Sequence, residues 1–287
     1  NEGFSPEAVT FACILKACAS IRDIDKGKHI HEEIVKRGLL EKNIILGTAL
    51  VDMYAKCGAI VKAEQVFNDL PVRNVISWNA VIAGCVQCGR SEDALNHFMQ
   101  MKREGFYPDG ITLSSILKAC GSTCCVDMGK QIHEKIVTQG LLEKDIVLGN
   151  SLVDMYAKCS MLAKARQVLE ELPTRNVISW NALISGYAEQ GEGDEALNCF
   201  EKMQNEGISP NEITFLSVLT ACSHAGLLDR AELLYTDMSK KYGITPSIEH
   251  HTCMLMILGS GGHFEKAMEV INVMPSCDNL QVWLVLL

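Results

Sequence analysis

The chain has 287 residues, 48% of them hydrophobic, only 6% aromatic and only 7 proline. This supports a sizeable aliphatic core, disfavours a β-sandwich, and leaves no apolar run of the roughly 18 residues that a membrane helix needs. The net charge of −9 taken alone speaks against non-specific nucleic-acid binding. Thirteen cysteines are too many for chance, but a disulfide scaffold belongs to short secreted chains. Cys13, Cys18, Cys57, Cys159 and Cys222 fall in apolar, helix-like positions and are expected to be small core residues in a reducing compartment. The first ten residues, "NEGFSPEAVT", carry no signal or transit pattern.

In chain order, a short start pattern recurs: "AVTFA", "IILGT", "VISWN", "GITLS", "IVLGN", "VISWN", "EITFL", "IEHHT". It divides the chain into units 8–43, 44–74, 75–109, 110–145, 146–176, 177–211, 212–247 and 248–279. A longer period lies over these. "LVDMYAKC", "NVISWNA" and "GLLEK" each return after 102 residues, and 56 of the 102 positions of 8–109 match those of 110–211. Periods near 35 with no Pro/Gly linker indicate a solenoid.

Each unit reads as two helices. In 75–109, Trp78, Val81, Ile82 and Cys85 form one helical stripe. Gly89 ends that helix in a left-handed turn, and Ser91 is expected to cap the next, with Glu92 and Asp93 in its first turn. Ala94, Leu95, Phe98 and Met101 form the second stripe, stopped by Gly105 and Pro108. Gly84 and Ala94 are small, so the two helices of the unit are expected to approach closely. The predicted class is all-α, a right-handed superhelical solenoid of helix-turn-helix repeats with the first helices on the concave side.

The string "VISWNALISGYAEQGEGDEALNCFEKMQNEGISPN" resembles a pentatricopeptide (PPR) repeat nearly position by position. The alternating lengths are similar to the P, L and S variants of the plant PLS class. "GKHIHEEIVKRG" resembles the L type, "LVDMYAKCG" the S type, and "NLQVWLVLL" the start of an E extension. On that resemblance residues 1–7 end a P repeat; 8–43, 110–145 and 212–247 are L repeats; 44–74 and 146–176 are S repeats. Units 75–109 and 177–211 are P repeats, 248–279 is a terminal S repeat, and 280–287 begins the extension. The resemblance implies sequence-specific binding of single-stranded RNA, one nucleotide per repeat, guiding C-to-U editing of a mitochondrial or chloroplast transcript. It implies a DYW-type deaminase in cis or trans, and MORF-type editing-factor proteins at the L repeats.

Between the two copies, Thr48 becomes Asn150, Asp109 becomes Asn211 and Asn43 becomes Asp145. Small polar residues change where the apolar scaffold is kept, as base readers would. The family's reading positions, the fifth and last of each unit, are these sites. An Asn carries a donor and an acceptor for a pyrimidine edge; Thr is shorter and leaves room for a purine. Carried over, Thr48 with Asn74 reads A, Asn79 with Asp109 reads U, Asn150 with Asn176 and Asn181 with Asn211 read pyrimidines, and Thr252 with Asn279 reads A. The L-type pairs Ala12/Asn43, Ser114/Asp145 and Leu216/Ser247 are weaker readers. The expected core is 5′-A-U-n-Y-Y-n-A-3′, its last A four nucleotides before the edited C. Ile45, Ile76, Val147 and Ile178 would sandwich bases, unless they only pack between repeats. Lys56 and Lys158 are candidate phosphate contacts, but Gln87 and Glu189 stand at that place in the P units, so the backbone attraction should be modest.

Trp78 and Trp180 share core stripes and are expected inside rather than on bases. "HEE" at 31–33 and "CVQC" at 85–88 mimic a zinc-deaminase signature. The second copy replaces Cys85 and Cys88 with Tyr187 and Gln190, so no metal is expected there. His29, His31 and His133 read as helix-face residues. "GSGGHFEK" has the wrong spacing for a phosphate loop. No catalytic activity, cofactor, membrane or small-molecule partner is expected. The alternative is a protein-binding scaffold, which should show exposed aromatics or charge blocks on the same face as the reading positions; the sequence displays neither there.

Overall fold

The computed structural model describes residues 8–40 and 43–274. Among the described residues there are sixteen α-helices and no strand. Contacts divide the chain into two units, residues 1–135 and 136–287, the division falling inside one helix. The first unit holds α1 (Ala8–Ile21), α2 (Ile24–Lys36), α3 (Ile44–Lys56), α4 (Ile60–Asn68), α5 (Val75–Gln87), α6 (Ser91–Arg103) and α7 (Gly110–Thr123). The dividing helix is α8 (Val126–Thr138). The second unit holds α9 (Ile146–Lys158), α10 (Leu162–Glu171), α11 (Val177–Glu189), α12 (Gly193–Asn205), α13 (Glu212–Ala225), α14 (Leu228–Lys240), α15 (Ile248–Ser260) and α16 (Phe264–Val273).

In each unit the odd-numbered helices stack on one another: α1 on α3, α3 on α5, α5 on α7, and likewise α9 through α15. α2, α4, α6, α10, α12 and α14 each fold back on their own partner and also touch the next odd helix, as α4 does with α3 and α5, and α16 packs on α15. A single hairpin could not bury its apolar faces; the stack can.

The core of the first unit follows the sequence stripes. Leu46, Leu50, Met53 and Tyr54 of α3, Phe67 of α4, Trp78 and Ile82 of α5 and Met101 of α6 are essentially inaccessible to solvent. The Phe67 and Trp78 rings meet edge to face, centroids 4.6 Å apart, with the Arg73 guanidinium 4.8 Å over Phe67. Trp180 is buried as well, and its Nε1 donates to Glu206 at 3.1 Å. Both tryptophans are therefore core residues. Gly89 closes the α5–α6 turn at φ +73°, a conformation that side chains rarely adopt.

Three local expectations are corrected. Ser91 does not cap α6; it is the helix's first, buried residue, after Arg90 at the cap position, and no side chain caps that end. Gly84 does not serve an approach to Ala94. A Cβ there would lie 2.5 Å from Ala55 Cβ and 3.0 Å from Ile60 Cδ1, so the glycine admits the preceding hairpin. Cys13 is exposed, and Cys57 and Cys159 are only half-buried; Cys18 and Cys222 do sit inside. No helix among the described residues is long and apolar enough to cross a membrane.

Candidate nucleic-acid interface

The residue ending each sequence unit is the residue that starts the next hairpin. Asn43, Asn74, Asp109, Asp145, Asn176 and Asn211 precede α3, α5, α7, α9, α11 and α13 and cap them with their side chains. Asn74 Oδ1 accepts the Ser77 N–H at 2.8 Å, and Ser77 Oγ in turn accepts the Asn74 N–H at 3.0 Å. Asp109 forms the same reciprocal box with Thr112, Asn176 with Ser179, and Asn211 with Thr214. Such caps satisfy amides that have no partner inside the helix. Ser247 precedes α15, where its N–H donates to His250 Nδ1. Asn279 lies outside the described residues.

The fifth-position residues sit one turn into the odd helices, and the three asparagines among them reach the following cap. Asn79 Nδ2 donates to Asp109 Oδ1 and Oδ2, both at 3.0 Å. Asn181 Nδ2 donates to Asn211 Oδ1 at 3.0 Å, and Asn150 Nδ2 to Asn176 Oδ1 at 3.4 Å. Three of the five pairs assigned from the sequence, 79/109, 150/176 and 181/211, are thus hydrogen-bonded within their unit. Burial tends to raise the Asp109 carboxyl, but the Thr112 N–H and the Asn79 amide outweigh it and hold the group below the usual carboxylate range.

These amides are also held from the acceptor side: Thr112 Oγ1 donates to Asn79 Oδ1 at 2.5 Å, and Thr214 Oγ1 does the same for Asn181 at 2.6 Å. Each P-unit amide keeps one N–H and the second lone pair of its oxygen. In the S unit the capping partner is the shorter Ser179, and Asn150 Oδ1 is buried without a hydrogen-bond partner. Thr48 Oγ1 is also buried without one, whereas the Thr252 hydroxyl donates to its own helix at Ile248 O, 2.9 Å away. Thr112 and Thr214 were not singled out in the sequence; the signal available was a Thr three residues after each P-unit cap. Of the weaker readers, Ala12 and Ser114 are buried and Leu216 is half-buried.

Near these pairs, within each unit, stand exposed aliphatic side chains at a repeated helix position. Ile45, Ile76, Val147 and Ile178 are 65%, 66%, 54% and 59% exposed. Val9, Ile111 and Ile213, at the same helix position, are equally exposed and belong with them. Packing between repeats covers only part of each of these side chains. In the first unit, Ile45, Thr48, Asn74, Ile76, Asn79 and Ile111 line one cleft of ≈ 430 Å³. An apolar wall beside directed polar groups can hold a flat ring and identify its edge.

Lys56 and Lys158 donate to Asp52 and Asp154 of their own helices, both at 2.8 Å, so each ammonium is already paired. Tyr107 is 87% exposed and Phe264 62%, but the first lies in the turn between α6 and α7 and the second opens α16, neither on the odd helices that carry the candidate readers. The deaminase-like fragments do not assemble as that signature. His31 Nδ1 pairs with the Tyr54 hydroxyl at 2.9 Å, and Glu33 with Arg37 at 2.6 Å. Burial, with Glu64 beside it, pushes the Cys85 thiol up to about 12, which makes it a poor nucleophile.

Stacked helical hairpins of near-constant length, with capped odd-numbered helices and an exposed aliphatic side chain at the second position of seven units, define a helical-repeat protein. The sequence matches the family model described as "PPR repeat family" over residues 73–122 and 175–224. It matches the "PPR repeat" model over 48–75, 150–177, 213–242 and 249–279. The chain belongs to the pentatricopeptide repeat family. It is 36% identical over its whole length to the Arabidopsis thaliana pentatricopeptide repeat-containing protein At1g03540, of which it spans 46%. It is 39% identical to At2g03880, mitochondrial, from the same plant, of which it spans 44%. The chain therefore covers less than half of these relatives. Among solved structures it is similar to PPR10 crystallised with an 18-nt psaJ RNA element, with a TM-score of 0.80 and 23% identity over 93% of this chain and 40% of that one. Maize PPR10 superposes with a TM-score of 0.69 and 22% identity, covering 98% and 42%.

Proposed function

We propose that this chain binds single-stranded RNA at one nucleotide per repeat and directs C-to-U editing of an organellar transcript. The observation carrying the proposal is the repeated pairing of a fifth-position side chain with the next helix cap, beside an exposed aliphatic residue. PPR10, which has the same fold, was crystallised with RNA, and At2g03880 and At1g06140 carry "mitochondrial" in their names. Each base would lie between successive aliphatic side chains, such as Ile45 and Ile76, while the amide and cap address its edge. The order of the pairs gives 5′-A-U-n-Y-Y-n-A-3′, with Thr48/Asn74 on the first A and Asn79/Asp109 on the U. A DYW-type deaminase, in cis or trans, supplies the chemistry, and MORF-type proteins are proposed at the L repeats.

Gel-shift titration against RNAs varied at single positions tests the reading. Replacing the first A by G should weaken binding by on the order of 1–3 kcal/mol, the usual cost of one wrong base. Equal affinity for G would sink the assignment.

A further inference from the structure

Three helices of the first unit bring three different electron-pair donors to one place: Glu64 from α4, Cys85 from α5 and His97 from α6. One ligand atom of each lies within 4.8 Å of the others. Cys85 Sγ is 3.7 Å from Glu64 Oε1, and His97 Nε2 is 3.3 Å from the same oxygen. Around a tetrahedral zinc ion, bonds of about 2.3 Å to sulfur and about 2.1 Å to nitrogen and oxygen place S and O about 3.6 Å apart and N and O about 3.4 Å apart. Two of the three donor edges therefore already have the length a metal would impose. The third, between Cys85 Sγ and His97 Nε2, is no longer than 4.8 Å.

The surroundings suit an ion. Cys85 is fully buried, while the Glu64 and His97 side chains are 18% and 15% exposed, so a water could reach a fourth position. Arg90 Nη1 holds Glu64 Oε2 at 2.8 Å, which leaves Oε1 toward the thiol and the imidazole. A hydrogen bond to the non-ligating oxygen is how outer groups orient a metal-bound carboxylate. The Phe67 and Trp78 rings, 6.1 and 6.2 Å from the His97 ring, fix its plane.

The other copy provides a comparison. There Arg166 replaces Glu64, Tyr187 replaces Cys85 and Cys199 replaces His97. The Arg166 guanidinium lies 5.1 Å over the Tyr187 ring, 3.8 Å from Cys199 Sγ and 2.5 Å from Glu195. A cation of the chain's own fills the place that the first copy surrounds with donors. An ion pair between Glu64 and Arg90 needs no thiol beside it.

We propose that Glu64, Cys85 and His97 bind a zinc ion, with water as the fourth ligand. On binding, the Cys85 S–H proton leaves to solvent, and the proton that His97 Nε2 shares with Glu64 Oε1 is exchanged through solvent for one on Nδ1, so that the neutral ring offers a free Nε2. Glu64 Oε1, Cys85 Sγ and His97 Nε2 each donate an electron pair, and no group is oxidised or reduced. The ion ties the second helix of one repeat to both helices of the next.

Cobalt(II) serves as the optical probe. Titrated into the full chain under reducing conditions, it should give a thiolate-to-cobalt charge-transfer band that saturates at one ion per chain and is displaced by zinc. Cys85→Ser should abolish the band. His97→Gln should weaken cobalt binding by no less than the roughly tenfold that outer-shell changes cost. Cys88→Ser, which alters a thiol outside the cluster, should leave the band intact. Zinc should raise the melting temperature of the wild-type chain and not of Cys85→Ser, with circular dichroism confirming that each variant is helical. No band in the wild-type chain, or a band undiminished in Cys85→Ser, overturns the site.

Discussion

The Asn79 amide nitrogen sits 3.0 Å from both carboxylate oxygens of Asp109, thirty residues further along the chain. The same carboxylate accepts the Thr112 N–H at 2.9 Å and so begins α7. One side chain therefore starts a helix and completes a polar pair in the preceding repeat. These two roles can be separated by mutation.

Asp109→Asn should leave folding nearly unchanged, because Asn and Asp cap helices equally well. Asn211 already occupies the matching position and keeps its bond to Asn181. Preference for U over C should fall, by on the order of 1 kcal/mol or more, since an amide can donate to the cytosine N3 and a carboxylate cannot. Paired gel shifts and a thermal melt check both halves. An unchanged U/C ratio would remove Asp109 from the reading pair.

Ile76 and Trp78 are two residues apart and should behave oppositely. Ile76 is 66% exposed, so Ile76→Ala should change stability by less than about 0.5 kcal/mol. It should cost RNA affinity about 1–2 kcal/mol, the value of covering an aliphatic side chain. Trp78 is wholly buried, and Trp78→Ala should cost about 3–5 kcal/mol of stability. Urea titration and RNA binding on both variants distinguish the roles.

Gly84→Ala should destabilise by about 1–3 kcal/mol through overpacking. The new methyl would meet Ala55 Cβ at 2.5 Å. Gly186→Ala should act alike against Ala157 Cβ at 2.8 Å. Ala55→Gly combined with Gly84→Ala should recover part of the loss; denaturant midpoints measure it.

Acid should weaken the fold through two histidines. Burial lowers His31, with Lys62 adding to it, and burial with His250 lowers His251. Each ring bonds a tyrosine hydroxyl: Tyr54 at 2.9 Å and Tyr235 at 2.6 Å. A histidine lowered in the folded state binds its proton more readily when unfolded, so stability falls as pH drops below about 6.5. Melting temperatures at pH 7.5 and 5.5 should differ, and His31→Gln with His251→Gln should narrow the gap. An unaltered gap would place the acid sensitivity elsewhere.

Much of the fold was legible because helix faces and turn glycines are local signals. The stripe holding Trp78, Ile82 and Cys85 is buried, and Gly89 takes the left-handed turn. What failed was the identity of neighbours. A period of 3.6 says which side of α5 is inside, but not that Gly84 faces Ala55 in the previous hairpin rather than Ala94 in its own. The same limit hid Thr112, whose hydroxyl takes the Asn79 acceptor from the next repeat. Exposure of Ile45 and Ile76 was likewise undecidable, since an apolar residue on a helix looks the same whether it meets protein or a base. The Glu64–Cys85–His97 cluster draws on three helices and has no contiguous motif.

The caps at 43, 74, 109, 145, 176 and 211 are all Asn or Asp, and Ser247 precedes α15. A boundary position that must launch a helix accepts a small vocabulary, chiefly Asn, Asp, Ser and Thr. Whatever is changed at those sites would have to be spelled with that vocabulary. Larger side chains there would loosen the scaffold that they begin. The permissible lexicon of these six positions is thereby fixed by the requirements of starting a helix.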